Sequence, residues 1–187
     1  MMEDHLAALA EAAERTRESA PKITAWGRHL VGVFEAGGRL LACGNGGSAA
    51  EAQHLTGELV GRFRHERRPL SAIALHADTS ATTAIVNDYG DHEVFARQVH
   101  AHGRPGDVLV CLSTSGGSQN VVAAAKAAHE LGVTTWALTG PAPNPLAALC
   151  DDAVTVEAPT VATVQEMHLV LVHGLCAALD TALGVTA

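Results

Sequence analysis

A histidine and a glutamate, His54 and Glu58, lie four residues apart just after a glycine-rich stretch, "CGNGGS" (43–48). Side chains four positions apart share one face of a helix. An imidazole and a carboxylate on one face can bind a metal ion or exchange a proton. A lone helical histidine is more often an ordinary surface or core residue, so the glycine-rich stretch beside the pair is what makes it a candidate site.

The glycine-rich stretch itself predicts a turn from a strand into a helix, where backbone amides bind anions. Read loosely, Gly44, Gly46 and Ala49 also fit a dinucleotide-binding fingerprint. That fingerprint needs an acidic residue about 20 residues further on. Asp78 lies 34 residues after Gly44, which disfavours a dinucleotide. A tight turn that binds no ligand remains the plain alternative.

A second loop, "STSGGS" (113–118), follows the apolar run "DVLVCL" and precedes a helical pattern. Hydroxyls and backbone amides at a helix N-terminus suit a phosphate monoester, whose charge the helix dipole favours. No lysine follows the loop, so it is not a P-loop. A serine-rich turn can also be a simple helix N-cap. Two such loops at neighbouring strand ends favour a phosphorylated ligand.

Further polar residues interrupt the apolar pattern near the C-terminus, in "VQEMHLVLVHGL" (164–175). Gln165 and Glu166 come first, and His168 and His173 follow. A histidine in such an apolar stretch needs partners for both ring nitrogens, or a metal ion. The spacing leaves both possibilities open for His173.

These candidates depend on the elements that carry them. Two N-terminal helices are expected over 3–18 and 23–35, separated by Pro21. Short apolar runs predict buried strands at 39–44, 71–76, 107–113, 133–140 and 152–157. Helical patterns at about 47–64, 79–87, 91–102, 117–131 and 145–150 separate them, and a long helix is expected over 161–183. This alternation predicts one α/β domain with a parallel sheet, whose ligands bind beyond the carboxyl ends of the strands.

Composition restricts the partners of the protein. Its 187 residues carry a net charge of −8, which argues against direct binding to nucleic acid or to an anionic membrane. The four cysteines include no C-x-x-C pair and predict buried, reduced thiols. The N-terminus lacks the pattern of a signal peptide, and the apolar run 169–179 is too short to span a bilayer. A soluble, cytoplasmic protein is expected.

The motifs "CGNGGS…H…E", "VND", "STSGGS" and "QEMH…H" together resemble the sugar isomerase (SIS) domain family. The resemblance covers most of the chain and keeps the motifs in order and at the right spacing. It implies a flavodoxin-like SIS fold, with three layers and a five-stranded parallel sheet, as a single domain over 1–187. It also implies a homotetramer with sites between subunits, in which 1–38 is a helical extension used in oligomerisation.

Within the family the chain is similar to members that interconvert sedoheptulose 7-phosphate and D-glycero-D-manno-heptose 7-phosphate through an enediol. The resemblance implies this aldose–ketose isomerisation, the first step of ADP- or GDP-heptose precursor synthesis, with one zinc ion per subunit. The implied zinc ligands are His54, Glu58, Gln165 and His173. Glu58 would also be the catalytic base, and His173 the catalytic acid.

The resemblance further implies a substrate-binding set. Its members are Asn45, Gly46, Gly47, Glu58, Arg62, Asn87, Asp88, Ser113, Thr114, Ser115, Ser118 and Gln165. Two positions depart from the family pattern: Thr163 stands where members often carry arginine, and Ala162 where some carry an acidic residue. A straight helix would separate Gln165 from His173 by about 12 Å, so one metal ion reaches both only if their side chains lean toward each other or the helix bends.

One different function fits the same motifs. Some SIS-domain proteins are non-catalytic regulators or sugar-phosphate sensors, including one that associates with the bacterial replication initiator. The stretches "AQHL" and "VNDYGDHEVFARQV" resemble that regulator as well. Because the regulator lacks the last histidine, the presence of Glu58 and His173 favours an enzyme.

Overall fold

The centre of the fold is a five-stranded parallel sheet, in a computed structural model that describes residues 1–185. Its strands are β1 (Leu40–Cys43), β2 (Ala72–Ala74), β3 (Val108–Ser113), β4 (Thr134–Thr139) and β5 (Asp152–Thr155). They are arranged in the order β2-β1-β3-β4-β5, and each neighbouring pair is parallel. This is the flavodoxin-like order, and it confirms the predicted architecture.

Helices cover both faces of this sheet. They are α1 (Met2–Thr16), α2 (Ala20–Glu35), α3 (Gly47–Val60), α4 (Thr79–Tyr89), α5 (Ala96–His102), α6 (Gln119–Glu130), α7 (Pro145–Leu149) and α8 (Val161–Ala182). The expectation that Pro21 separates two helices was wrong. Pro21 lies in the first turn of α2, where its missing N–H leaves no hydrogen bond unmade. The helix expected to reach residue 64 ends at Val60, because Gly61 follows it in a non-helical conformation.

Alternate residues of the strands bury apolar side chains on opposite faces. Leu40 and Val110 belong to the core beneath α2, α3 and α8, whereas Leu41 and Leu109 belong to the core beneath α5 and α6. Because both faces are covered, each strand is apolar at nearly every position instead of alternating. That is why the strands could be located from short apolar runs.

The N-terminal helices pack on the C-terminal helix α8. Helix α2 joins the core directly: Trp26 stacks on Trp136 of β4 with ring centroids 4.6 Å apart, and its indole N–H donates to Asp152 at 2.8 Å. Helix α1 is linked to α8 by His5 and Glu166, whose side chains are 2.7 Å apart. Helix α8 has the length and apolar composition of a membrane-spanning helix, but a helix buried in a protein core can have both as well.

Close packing of α2 on α8 predicts opposite effects for two glycines of α2. A methyl group at Gly27 would lie 2.8 Å from backbone atoms of Ala178 and Leu179, closer than non-bonded atoms pack. We expect Gly27→Ala to lower the free energy of unfolding, measured by urea denaturation, by about 1–3 kcal/mol.

Gly32→Ala is the matched control on the same helix. A methyl group at this exposed position meets no atom of residues 1–185 within 4 Å. Relief of the glycine penalty should raise the free energy of unfolding by about 0.5–1 kcal/mol. Equal effects of the two substitutions would contradict the close approach of α2 to α8.

Candidate active site

The candidate site lies at the carboxyl edge of the sheet, where the strand order reverses between β1 and β3. β1 leads through a first loop (44–46) into α3, and β3 leads through a second loop (114–118) into α6. The two connections leave neighbouring strands toward opposite sides, so a crevice opens between the loops. Ligands of open α/β sheets bind at this point.

The first loop is shaped by glycines and held by an amide pair. Gly46 has a φ of +55°, a conformation that glycine adopts most readily. The side chain of Asn45 donates to Asn120 Oδ1 at 2.8 Å, and Asn120 donates back to Asn45 Oδ1 at 2.9 Å. Asn120, in the first turn of α6, was missed from the sequence; the polar residues after "STSGGS" were its only signal.

The second loop brings its hydroxyl groups together at the N-terminus of α6. Ser113 Oγ lies 3.4 Å from Ser115 Oγ and 3.1 Å from Ser118 Oγ. Ser118 occupies the N-cap position of α6, yet its side chain makes no capping hydrogen bond. The Thr114 carbonyl accepts from the Gly140 N–H at 3.1 Å and fixes the loop backbone. The loop therefore forms a cradle of hydroxyl groups at the positive end of α6. Because the Ser118 side chain makes no capping hydrogen bond, this cradle indicates a phosphate site and not a plain helix N-cap.

His54, Glu58 and His173 come together where α3 and α8 lie side by side. The Nε2 atoms of the two histidines are 3.0 Å apart, and Glu58 Oε1 lies 3.1 Å from His54 Nε2. One ligand atom from each residue lies within 4.8 Å of the others. Ligand atoms bound about 2.0–2.2 Å from a tetrahedral zinc lie roughly 3.3 Å from one another. Two imidazoles and a carboxylate at this spacing fit a zinc ion.

The cluster exists because α3 and α8 run side by side in the same direction. Gly47 at the start of α3 contacts Gln165 at the start of α8, and about two turns further along His54 meets His173. A Cβ on Gly47 would lie 2.4 Å from Gln165 Nε2, so only glycine leaves room for this amide. Gln165 thus lies beside the first loop, and its role as a zinc ligand stays a prediction.

Between these contacts lies the fully buried histidine of the motif, His168. Its side chain is 0% exposed, and its Nε2–H donates to the Thr139 carbonyl at 3.1 Å. Nδ1 faces Glu51 Oε2 at 3.6 Å, too far for a hydrogen bond. The histidine with partners in the core is therefore His168, whereas His173 is only partly buried and belongs to the His–Glu cluster.

Three predicted substrate residues make local hydrogen bonds of their own. Asn87 and Asp88 are exposed near the end of α4, and Asn87 donates to Asp88 Oδ1 at 2.7 Å. The exposed Arg62 donates to the Arg64 carbonyl at 3.0 Å. Within one chain, their hydrogen bonds do not link them to the loops or to the His–Glu cluster.

Two neighbours of the cluster were missed from the sequence. The ring of Phe63 stacks on His173 with centroids 5.6 Å apart. Arg67 donates to the Glu58 carbonyl at 2.7 Å. Both lie in "RFRHERRP" (62–69). The sequence of this segment does not indicate which of its arginines is buried.

The buried thiols agree with the expectation from cysteine spacing. Cys43, Cys111, Cys150 and Cys176 are all buried and free. Burial, together with the carboxylates of Glu58 and Asp180, raises the pKa of the Cys176 thiol to about 12. This thiol is therefore protonated at neutral pH.

Comparisons with known proteins agree with this geometry. Residues 4–140 match the family described as the SIS domain. The chain belongs to the SIS domain family. Similar members include a phosphoheptose isomerase from Streptomyces coelicolor, 66% identical over 89% of this chain and 72% of that protein, and one from Rhodospirillum rubrum, 46% identical over 97% and 99%.

Solved structures of SIS-domain proteins give the same result. The structure of phosphoheptose isomerase from Neisseria gonorrhoeae is 42% identical, with a TM-score of 0.89 over 96% of this chain and 97% of that chain. The corresponding enzyme from Francisella tularensis is 36% identical, with a TM-score of 0.90 over 96% of each chain. The predicted family and fold are confirmed.

The close contact of Gly47 with Gln165 predicts a selective effect on metal binding. Gly47→Ala would push the Gln165 amide out of its place beside the first loop, because a methyl group overlaps it. If Gln165 completes the zinc ligands, zinc affinity, measured by competition with a chelator, falls roughly 10–100-fold, the range seen when residues supporting a metal site are lost.

Gly57→Ala is the control for that measurement. Gly57 lies on the same helix, and an added methyl group there meets nothing within 4 Å among residues 1–185. Zinc affinity should be unchanged. Unchanged affinity in Gly47→Ala as well would remove Gln165 from the ligand set.

Proposed function

We propose that this protein isomerises sedoheptulose 7-phosphate to D-glycero-D-manno-heptose 7-phosphate, the first step toward ADP- or GDP-heptose precursors. The observation that carries the proposal is a zinc-type cluster that includes a carboxylate base, on the helix that follows the first loop, in a chain whose neighbouring loop forms a phosphate-type cradle. Relatives up to 66% identical are phosphoheptose isomerases. The substrate has its phosphate at one end of a seven-carbon chain and its reacting carbons at the other. This suits a protein with a phosphate cradle and a separate metal-type cluster.

The cradle and the first loop would hold the substrate. Phosphate oxygens would accept hydrogen bonds from the hydroxyls of Ser113, Ser115 and Ser118 and from amides at the N-terminus of α6. Asn45, Gly46 and Gly47 would line the path of the sugar toward the cluster. Binding energy far from the reacting carbons positions them for reaction.

The isomerisation moves a proton between C1 and C2 of the opened sugar. Glu58, partly buried beside His54, is the proposed base that removes the proton from carbon and returns it to the neighbouring carbon. His173 lies across the cluster on α8 and is the proposed acid that protonates the carbonyl oxygen at C2. It regains a proton from the C1 hydroxyl when the enediol collapses to the aldehyde. Zinc, when bound to His54, Glu58 and His173 with Gln165 as the fourth ligand, would polarise that oxygen.

An assembly of several chains would complete this site. Helix α4 buries none of its residues within one chain, and Tyr89 beside Asn87 and Asp88 is 50% exposed. Leu6 on α1 and Val170 on α8 are exposed apolar residues as well. These surfaces support a homotetramer in which residues 1–38 contribute to subunit contacts and the substrate residues of α4 act across an interface. The protein would work in the cytoplasm, without nucleic acid or membrane partners.

The alternative of a non-catalytic regulator or sugar-phosphate sensor has less support. A sensor needs the phosphate cradle, but it does not need a base and an acid whose side chains could bind the same metal ion. His54, Glu58 and His173 converge in this chain, and this favours catalysis. About one zinc per chain after purification without chelator is expected for the enzyme, and metal-free protein would favour the regulator.

Removing the base or the acid should abolish turnover without unfolding the protein. Glu58→Gln keeps the size of the side chain and His173→Asn keeps a polar amide near the position of the ring nitrogen Nδ1. Both remove the proton-transfer group, so the rate should fall roughly 10²–10⁴-fold. Turnover of sedoheptulose 7-phosphate is measured together with the melting temperature. A variant that retains more than a tenth of wild-type kcat excludes its residue from the central role.

Removing the metal should stop the reaction reversibly. We expect the purified protein to convert sedoheptulose 7-phosphate, to lose activity with a zinc chelator, and to regain it when zinc is restored. Product identification distinguishes a heptose 7-phosphate aldose from other phosphosugars. Full activity of protein shown to be free of metal would contradict the zinc-dependent mechanism.

A further inference from the structure

Arg67, in the loop after α3, is a buried cation that the proposed chemistry does not use. Its side chain is 3% exposed. The guanidinium donates from Nη2 to the Glu58 carbonyl at 2.7 Å and from Nη1 to the Leu59 carbonyl at 3.0 Å. The last carbonyls of a helix have no partner within the helix, and a cation there also favours the helix dipole. Arg67 thus completes the C-terminus of α3.

The same guanidinium reaches α8. Its Nε donates to Asp180 Oδ1 at 2.9 Å, and the Asp180 side chain is 7% exposed. Asp180 lies seven residues after His173, two helical turns further along nearly the same face. Arg67 therefore joins the end of α3 that carries Glu58 to the helix that carries His173.

We propose that Arg67 and Asp180 are positioning residues that set the spacing of α3 and α8 at the level of Glu58 and His173. Glu58 is held through its own carbonyl, so a shift of Arg67 moves the backbone of the proposed base. The catalytic part of this inference rests on the proposed function, whereas its geometric part concerns the metal cluster alone.

A purely stabilising role is the competing explanation, and it is testable. Replacing a buried ion pair by apolar residues of similar size is often neutral or stabilising, whereas removing one partner leaves an unpaired buried charge. The double variant Arg67→Met with Asp180→Leu removes both charges together. It keeps the packing but deletes the hydrogen bonds to α3.

The experiment compares the full-length double variant with wild type in three measurements. They are the melting temperature, the visible spectrum and affinity of Co²⁺ added to metal-free protein, and kcat and KM for sedoheptulose 7-phosphate. We expect a melting temperature close to that of wild type, an altered Co²⁺ spectrum and a kcat lowered roughly 10²-fold, as for a displacement of about 1 Å. KM should change little, because neither residue lies at the phosphate cradle.

Two further variants separate position from stability. Arg67→Lys keeps the charge opposite Asp180 but loses the planar fork that reaches two carbonyls. Its Co²⁺ spectrum and kcat should therefore also change, and this variant tests the inference even if the double variant fails to fold. Arg39→Met disrupts another partly buried pair, in which Arg39 Nε lies 3.6 Å from Asp107 Oδ2 just before the starts of β1 and β3. It should lower stability without changing the Co²⁺ spectrum or kcat.

The outcomes distinguish this inference from the proposed function. A wild-type Co²⁺ spectrum and kcat in both Arg67 variants would overturn the positioning role, whatever their stability. Wild-type protein that binds Co²⁺ but leaves sedoheptulose 7-phosphate unchanged would refute the proposed function, and an altered spectrum in the variants would still support the inference. Wild-type protein that neither binds Co²⁺ nor converts sedoheptulose 7-phosphate would overturn both the inference and the proposed function.

Discussion

The parallel contact between α3 and α8 is the constraint on which the candidate site depends. Along this contact the chain pairs Gly47 with Gln165, Glu51 with His168, His54 with His173, and the end of α3 with Asp180 through Arg67. The third pair supplies two of the three side chains of the metal-type cluster. The others are polar or close contacts that fix the two helices in rotation and in height, and a cluster of three side chains needs both to be fixed.

The sheet supplies the second half of the site. Because β1 and β3 are neighbours although they are not consecutive in the chain, the loop before α3 and the loop before α6 face each other across the switch point. The metal-type cluster belongs to the layer of α3 and α8, and the hydroxyl cradle to the N-terminus of α6 in the opposite layer. A phosphosugar between them would therefore contact helices from both faces of the sheet.

Much of this arrangement could be predicted from the sequence, for identifiable reasons. Buried parallel strands are apolar runs, and glycine or serine clusters after them indicate loops, so the sheet and both loops could be located. Long-range pairing could not be predicted from composition. The apolar surroundings of His173 suggested a buried histidine, yet His168 takes that place because it faces the end of β4. Which arginine of residues 62–69 is buried depends on where Asp180 lies, more than a hundred residues away.

The reciprocal amide pair between Asn45 and Asn120 closes a ring of two hydrogen bonds across the crevice. A ligand that takes the amide of Asn45 must exchange both bonds at once, since neither asparagine keeps its partner when the other turns away. Asn120 Oδ1 also accepts from the Val121 N–H at 2.9 Å, so the released amide remains tethered to the first turn of α6. The loop after β1 and the first turn of the helix whose N-terminus would hold the phosphate are thus already joined to each other before any ligand binds.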